Sequence, residues 1–270
     1  MTEHSLDLSR WREYDDLITD SLWLLGARDR TSTHSRDYWG NFVPQIPNQI
    51  IRRFTRPGDR VVDLFSGLGT TLIECRRLGR HGIGVELNAD VAARSRERVA
   101  AAKALDGCGW CVLEGDSGAP ETVARVRAAL GGQPADCLFL HPPYHDIIRF
   151  GDDPRDLSNA PDEAAFLDAF ERVVGNAVGL LRPGGHLALV IGDTFRDGEV
   201  RPLGFACMER CRAAGLSLRA INVKDIQGNV RGKGPATNLW RYRALRQGLY
   251  VFKHEYVMLF RQPACRTVGA

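Results

Sequence analysis

The stretch Arg60-Val-Val-Asp-Leu-Phe-Ser-Gly-Leu-Gly-Thr-Thr71 decides the fold. Its apolar, β-branched start predicts a buried strand, Asp63 stands near that strand's end, and Gly67 and Gly69 fill a turn that opens a helix at Thr70. Such a turn lets main chain approach a ligand closely and aims helix N–H groups at it. From here onward short β-rich runs alternate with segments of helical period. Strands are predicted at 60–65, 82–86, 110–114, 136–140, 186–191, 217–223 and 255–260, and helices at 70–78, 89–105, 121–130, 163–181 and 203–214. Gly79, Gly131, Gly184 and Gly215 stand where four of those helices should stop. This alternation predicts an α/β fold, a mostly parallel seven-stranded sheet with helices on both faces. No helix-length pattern separates 217–223 from 255–260, so the last strand is expected to be antiparallel, with a long insertion before it.

Upstream, residues 1–58 form an N-terminal extension: a helix over 15–25, a polar aromatic loop over 31–41, and a segment over 47–55 that leads into the first strand. Residues 59–270 form the main domain. At 270 residues and 44% hydrophobic composition, the chain has enough apolar material for a substantial core. Its apolar runs are far shorter than the roughly 18–20 residues of a membrane span, and charges occupy the positions of a signal peptide's apolar region. A cytoplasmic protein with no membrane partner is expected. The 36 Lys and Arg against 33 Asp and Glu predict no partner by themselves. The seven cysteines suit reduced thiols. Cys108 with Cys111 and Cys207 with Cys211 have the spacing of zinc half-sites. Their apolar settings, a strand and a helical stripe, favour small core residues instead, and no metal is expected.

Two nucleotide chemistries are disfavoured by the turn. No Gly-Lys-Ser/Thr follows to cradle a phosphate, and Leu72 occupies the place of the third glycine of a dinucleotide fingerprint. Two further acids follow at strand ends, Glu86 after Gly-Ile-Gly-Val and Asp116 after Val-Leu-Glu-Gly. A carboxylate about 20 residues beyond a glycine turn can hold ribose hydroxyls, and one a strand further on can accept from an adenine amino group. Together the three acids outline one ligand groove.

Asp63-Leu-Phe-Ser-Gly-Leu-Gly-Thr-Thr71, with Leu78-Gly-Arg-His-Gly-Ile-Gly-Val-Glu86, resembles the cofactor motifs of S-adenosylmethionine-dependent DNA amino-methyltransferases. Leu64 departs from the proline common in that family. The resemblance implies a Rossmann-like class I methyltransferase fold and S-adenosylmethionine as cofactor. Asp63 and Gly67 would border its methionine part, Glu86 its ribose and Asp116 its adenine, with Phe65, Gly69, Thr70, Leu87 and Ser117 beside them. Asn41-Phe-Val-Pro-Gln-Ile-Pro-Asn-Gln-Ile50 resembles the segment that closes over the methionine tail in this family.

The fourth predicted strand ends in Leu140-His-Pro-Pro-Tyr144. Composition alone yields a Pro-Pro-aromatic triplet about 0.05 times in such a chain, and this one falls at a carboxyl strand end, where open α/β sheets bind ligands. An exocyclic base amine is a poor nucleophile because its lone pair is delocalised into the ring. Acceptors on its two N–H groups favour the pyramidal form. The turn at Pro142 and Pro143 can offer a carbonyl, His141 an imidazole nitrogen, and Tyr144 a face for an extruded base. The resembling family usually has Asp, Asn or Ser where His141 stands. His141 can accept the amine's hydrogen bond, and near an unperturbed pKa of about 6.5 it can also take the released proton. Cytosine C5 methylation needs an attacking thiolate. No Pro-Cys dipeptide or cysteine lies in this turn, so that reaction is excluded.

Between residues 224 and 253 lie seven Lys and Arg, Lys224 included, against the single acid Asp225. Arg231, Lys233, Asn238, Trp240, Arg241, Arg243 and Arg246 in this stretch, with Arg149 in the loop after Tyr144, are the expected nucleic-acid contacts. In that same loop Phe150 either wedges against a base or packs inward. A site-specific DNA methyltransferase acting on cytosine N4, or next on adenine N6, is the expected function, with flipped double-stranded DNA as partner. An RNA base-amine methyltransferase and a non-catalytic binding subunit are the rivals. The resemblance leaves a homodimer and a cognate restriction nuclease as open partners.

Overall fold

Neighbouring residues of the first parallel strand point to opposite cores: Val62 joins the cluster with Phe166 and Phe170, and Val61 the cluster with Ile46 and Ile51. Leu138 and Phe139, then Leu189 and Val190, divide in the same way. A sheet buried on both faces needs helices on both, and that is the architecture of the computed structural model. It describes residues 6–34, 40–105, 107–196, 198–226 and 237–264, without the side chains of Asp146 and residues 237–240.

In chain order the elements are β1 (Leu22–Trp23), α1 (Gln45–Phe54), β2 (Arg60–Asp63), α2 (Thr70–Leu78), β3 (His81–Glu86), α3 (Ala89–Ala101), β4 (Trp110–Glu114), α4 (Pro120–Ala129), β5 (Ala135–Leu140), α5 (Glu163–Leu180), β6 (Leu181–Ile191), β7 (Thr194–Arg196), β8 (Glu199–Arg201), α6 (Leu203–Ala213), β9 (Ser217–Asp225), α7 (Thr237–Gln247) and β10 (His254–Arg261). The main sheet runs β1-β9-β10-β6-β5-β2-β3-β4, and β7 with β8 forms a separate hairpin. β10 is antiparallel to both β6 and β9, as expected of the last strand, and the other pairs in the main sheet are parallel. Helices α1 to α3 cover one face and α4 to α6 the other.

The described sheet has eight strands rather than the seven expected. The eighth is β1, from the segment expected to be a helix over 15–25; Leu22 and Trp23 pair with Val223 and Lys224, and Trp23 is buried in the second core. Asp15, Asp16, Asp20 and Ser21 in that segment favour turns over a helix interior. The helix instead forms at Gln45–Phe54. Pro47 is compatible because it lies in the first turn, where a missing N–H breaks no intrahelical bond. Gly79 caps α2 in the left-handed region, and Gly131 and Gly215, also at positive φ, follow the C-caps of α4 and α6. Gly184 does not stop α5, which ends at Leu180 by passing directly into β6. α3 ends at Ala101, four residues short of the expected end.

The N-terminal loop is fastened to the helices by buried polar chemistry. Glu74 Oε1 receives Arg77 Nη1 at 2.7 Å and lies 2.7 Å from His34 Nε2, while Oε2 accepts from Asn48 Nδ2 at 2.7 Å. Glu74 on α2 thus joins α1 and the 31–34 segment, each donor offsetting part of the cost of its burial.

Candidate functional site

A cleft of about 1290 Å³ opens at the carboxyl ends of β2, β3, β4 and β5. Phe65, Gly67, Thr70, Glu86, Leu87, Asp116 and Ser117 line it, and so do His141, Pro142, Pro143 and Tyr144. The residues expected at the cofactor end and at the catalytic end therefore border one cleft. Asn41, Phe42 and Val43 of the N-terminal extension complete it.

Asp63 and Gly69 are corrected in placement, since both lie behind the lining. Asp63 is buried beneath the turn, accepting from Thr71 Oγ1 at 2.5 Å and the Phe65 N–H at 3.0 Å. Burial pushes its carboxyl up to about 6, against the pull of those bonds. Gly69 has φ +79°, and a Cβ there would sit 2.6 Å from Ser95 Oγ and 2.7 Å from Val99 Cγ2. It lets α3 pack on the turn.

Glu86 receives the Gly67 N–H on Oε2 and the Asn88 N–H on Oε1, both at 2.9 Å, so it shapes the glycine turn while facing the cleft. Desolvation raises its pKa, and the two N–H bonds oppose the shift. A carboxylate has about four acceptor positions, so two donors leave room for more. Asp116 accepts the Gly118 N–H at 2.7 Å, and Ser117 Oγ donates to Leu64 O at 2.6 Å. Two strand-end carboxylates with spare lone pairs, a glycine turn and an apolar side wall fit the hydroxyls, amine and sulfonium-bearing body of S-adenosylmethionine.

At the other end, the His141 ring lies 4.9 Å from Phe42 and 5.8 Å from Tyr144, centroid to centroid. Desolvation pushes its imidazole down to about 4, a shift that Glu255 opposes and Lys224 reinforces. At neutral pH His141 is an uncharged hydrogen-bond acceptor. A group with this pKa does not retain a proton at pH 7, so any proton it takes from the amine must pass on to solvent. Tyr144 donates to Glu255 Oε2 at 2.9 Å, and burial beside that carboxylate raises the phenol pKa well above its usual value. Desolvation works to raise the Glu255 pKa, but Lys224, His141 and two hydrogen bonds together hold it below the ordinary range. His145, directly after the corner, adopts φ +50° and turns the chain away, its Nε2 lying 3.2 Å from Ala160 O.

Lys224 opens the basic run of residues 224–253. The structure turns it inward, with Nζ 2.8 Å from Glu255 Oε1. Glu255 was not anticipated; its only sequence signal is a carboxylate opening an otherwise apolar strand. Arg241, Arg243 and Arg246 lie exposed on α7, and Arg243 also lines the cleft. Asn238 and Trp240 belong to the same helix, but their side chains lie outside the described set, as do Arg231 and Lys233 entirely. Arg149 is exposed and held in its own loop by Asn159 Oδ1 at 2.7 Å and Asp152. Phe150 packs inward, its Cζ 2.9 Å from where a Cβ on Gly40 would stand.

The family model for DNA methylases matches residues 3–97. Roughly the first third of the chain is therefore similar to DNA methylases. The match takes in β2, the glycine turn and Glu86 and stops short of the His141 corner. Over 67 residues the chain is 36% identical to the Type II methyltransferase M.MjaII of Methanocaldococcus jannaschii, covering 24% of this chain and 13% of that protein. Over 45 residues it is 44% identical to the Type II methyltransferase M.SmaI of Serratia marcescens, covering 17% and 15%. The chain thus spans a small part of the length of each relative. The fold is similar to that of a SAM-dependent methyltransferase from Methanosarcina mazei, with TM-score 0.51, 10% identity, and 83% and 99% of the two chains covered. It is also similar to a precorrin 8w decarboxylase from Methanobacterium thermoautotrophicum, with TM-score 0.52, 13% identity, and 87% and 99% covered. Among the described residues no helix is long and apolar enough to cross a membrane.

Proposed function

We propose that this chain is a DNA methylase that methylates an exocyclic amino nitrogen of a base in DNA, cytosine N4 ahead of adenine N6. The observation that carries this reading is the single cleft: Glu86 and Asp116 line it together with the His141 to Tyr144 corner. S-adenosylmethionine supplies an electrophilic methyl group on a sulfonium. Glu86 and Asp116 hold the donor, Asp63 braces the glycine turn from below, and residues 1–58 close the site through Asn41 and Phe42.

On the substrate side, Tyr144 offers a ring face to an extruded base, and its hydroxyl, tied to Glu255, fixes the ring's tilt. His141 accepts one amine N–H and a carbonyl of the Pro142–Pro143 turn accepts the other, which returns the lone pair to nitrogen. As the amine nitrogen bonds to the methyl carbon, the carbon–sulfur bond would break and the neutral thioether leave, and the amine's surplus proton would pass through His141 to solvent. Holding the amine in line supplies most of the rate, and no covalent bond to the protein is needed. A non-acidic residue before the two prolines favours cytosine. The exposed arginines of α7, with Lys253, neutralise phosphates and anchor the duplex. The test is transfer of tritiated methyl from S-adenosylmethionine to duplex DNA and to tRNA and rRNA, side by side. Faster labelling of DNA, on exocyclic amines, is expected; labelling confined to RNA contradicts the proposal.

A further inference from the structure

Lys224 and Glu255 face each other across the β9–β10 ladder, at the point where the chain leaves for residues 226–253 and returns. Both are buried. Such a pair stabilises a fold little, because desolvating two charges offsets most of their attraction. Glu255 has a second partner: Oε2 accepts the Tyr144 hydroxyl proton at 2.9 Å, while Oε1 lies 2.8 Å from Lys224 Nζ. The Tyr144 oxygen lies 3.5 Å from His141 Nε2, at the outer limit of a hydrogen bond. A phenol has one proton to give, and Glu255 takes it. A bond between Tyr144 and His141 therefore runs from the ring N–H to the phenol oxygen. In a neutral imidazole, a proton on Nε2 leaves the lone pair on Nδ1.

We propose that Glu255 and Lys224 are positioning residues that fix the tautomer of His141, so that Nδ1 is the acceptor presented to the target amine. The direction of every bond in the chain follows from the charge at its end: a carboxylate can only accept, Tyr144 must then donate to it, and His141 must donate to Tyr144. Lys224 keeps that end charged, since a lone carboxylate at this depth would take up a proton and become a donor. The same pair ties the two strands that carry the basic insertion, so the element that meets DNA and the acceptor that meets the amine share one anchor. This inference rests on the proposed role of His141 as amine acceptor.

Long-range proton–nitrogen spectra of histidine-labelled wild-type protein at pH 7 report which ring nitrogen carries the proton, with His141 assigned by its loss in His141→Ala. His141 is expected as the Nε2–H tautomer. In a Lys224→Met/Glu255→Met double variant, which leaves neither charge buried alone, Tyr144 loses its acceptor and turns its proton toward His141. The Nδ1–H form should then dominate. With S-adenosylmethionine and DNA from a methylation-deficient bacterial strain, kcat falls about 10- to 100-fold, the size of one charge-assisted hydrogen bond, and KM for S-adenosylmethionine is unchanged. A wild-type Nδ1–H tautomer, or a double variant that keeps the wild-type tautomer and kcat, overturns the proposal. Full activity in His141→Ala would instead remove the acceptor role itself, a result independent of the wild-type tautomer.

Discussion

A Cβ on Gly192 would stand 3.0 Å from Tyr144 Cε2, so the ring of the Pro-Pro-Tyr corner rests directly on the glycine that follows β6. Gly192→Ala should push the ring off this seat and stretch its bond to Glu255. The expected result is a kcat lower by roughly tenfold, because small misplacements of a reacting group are costly, with S-adenosylmethionine affinity unchanged in a calorimetric titration.

Glu86 offers a different separation. Its two oxygens each take a backbone N–H, so an amide at this position places an NH2 against one of those donors. Glu86→Gln should weaken S-adenosylmethionine binding by about 10- to 100-fold, the cost of a charge-assisted bond and a disturbed turn, and leave duplex DNA affinity intact. Equal cofactor affinity in the two proteins would remove Glu86 from the donor site.

Arg241 and Arg246 project from α7 into solvent. If they neutralise phosphates, the slope of log binding constant against log salt should flatten by about 0.9 for each arginine replaced by alanine. Filter-binding measurements over a salt series with one random-sequence duplex check this; an unchanged slope places DNA elsewhere.

Much of the frame was legible because the strand-end chemistry is local. β2 and its glycine turn, the order Asp63, Glu86, Asp116, and the Pro-Pro-Tyr corner can each be read within a few neighbouring residues. What stayed hidden depends on contacts between distant segments. Residues 22 and 23 become a strand only because β9 offers a free edge. Pro47 disguises the first turn of α1. Lys224 looks like one more cation in a basic run until the β9–β10 register sets it opposite Glu255. Asp63 belongs to the motif, yet serves it from underneath, a distinction that spacing cannot carry.

Two groups, the buried Asp63 and the half-buried His141, should pull acid stability in opposite directions. Asp63 binds its proton at about 6 in the folded chain against 3.8 unfolded, so its contribution is present at low pH and is lost as pH rises through 6. His141 titrates at about 4 folded against 6.5 unfolded, so its contribution is present above 6.5 and is lost as pH falls toward 4. Between about pH 4 and 6 the two nearly cancel. Asp63→Asn should therefore lose stability more steeply than wild type on acidification through that window, and His141→Asn less steeply, each by up to about 3 kcal/mol. Urea midpoints at pH 6, 5 and 4.5 give the ordering; parallel curves for all three proteins would contradict it.

The most direct measurement is modification-detecting sequencing of DNA from cells that express the chain, set against cells expressing His141→Ala. A methyl group on cytosine N4 or adenine N6 at one recurring sequence, absent with His141→Ala, is the result the account predicts. Unmodified DNA from cells holding folded wild-type protein, or the same mark left by His141→Ala, would contradict it.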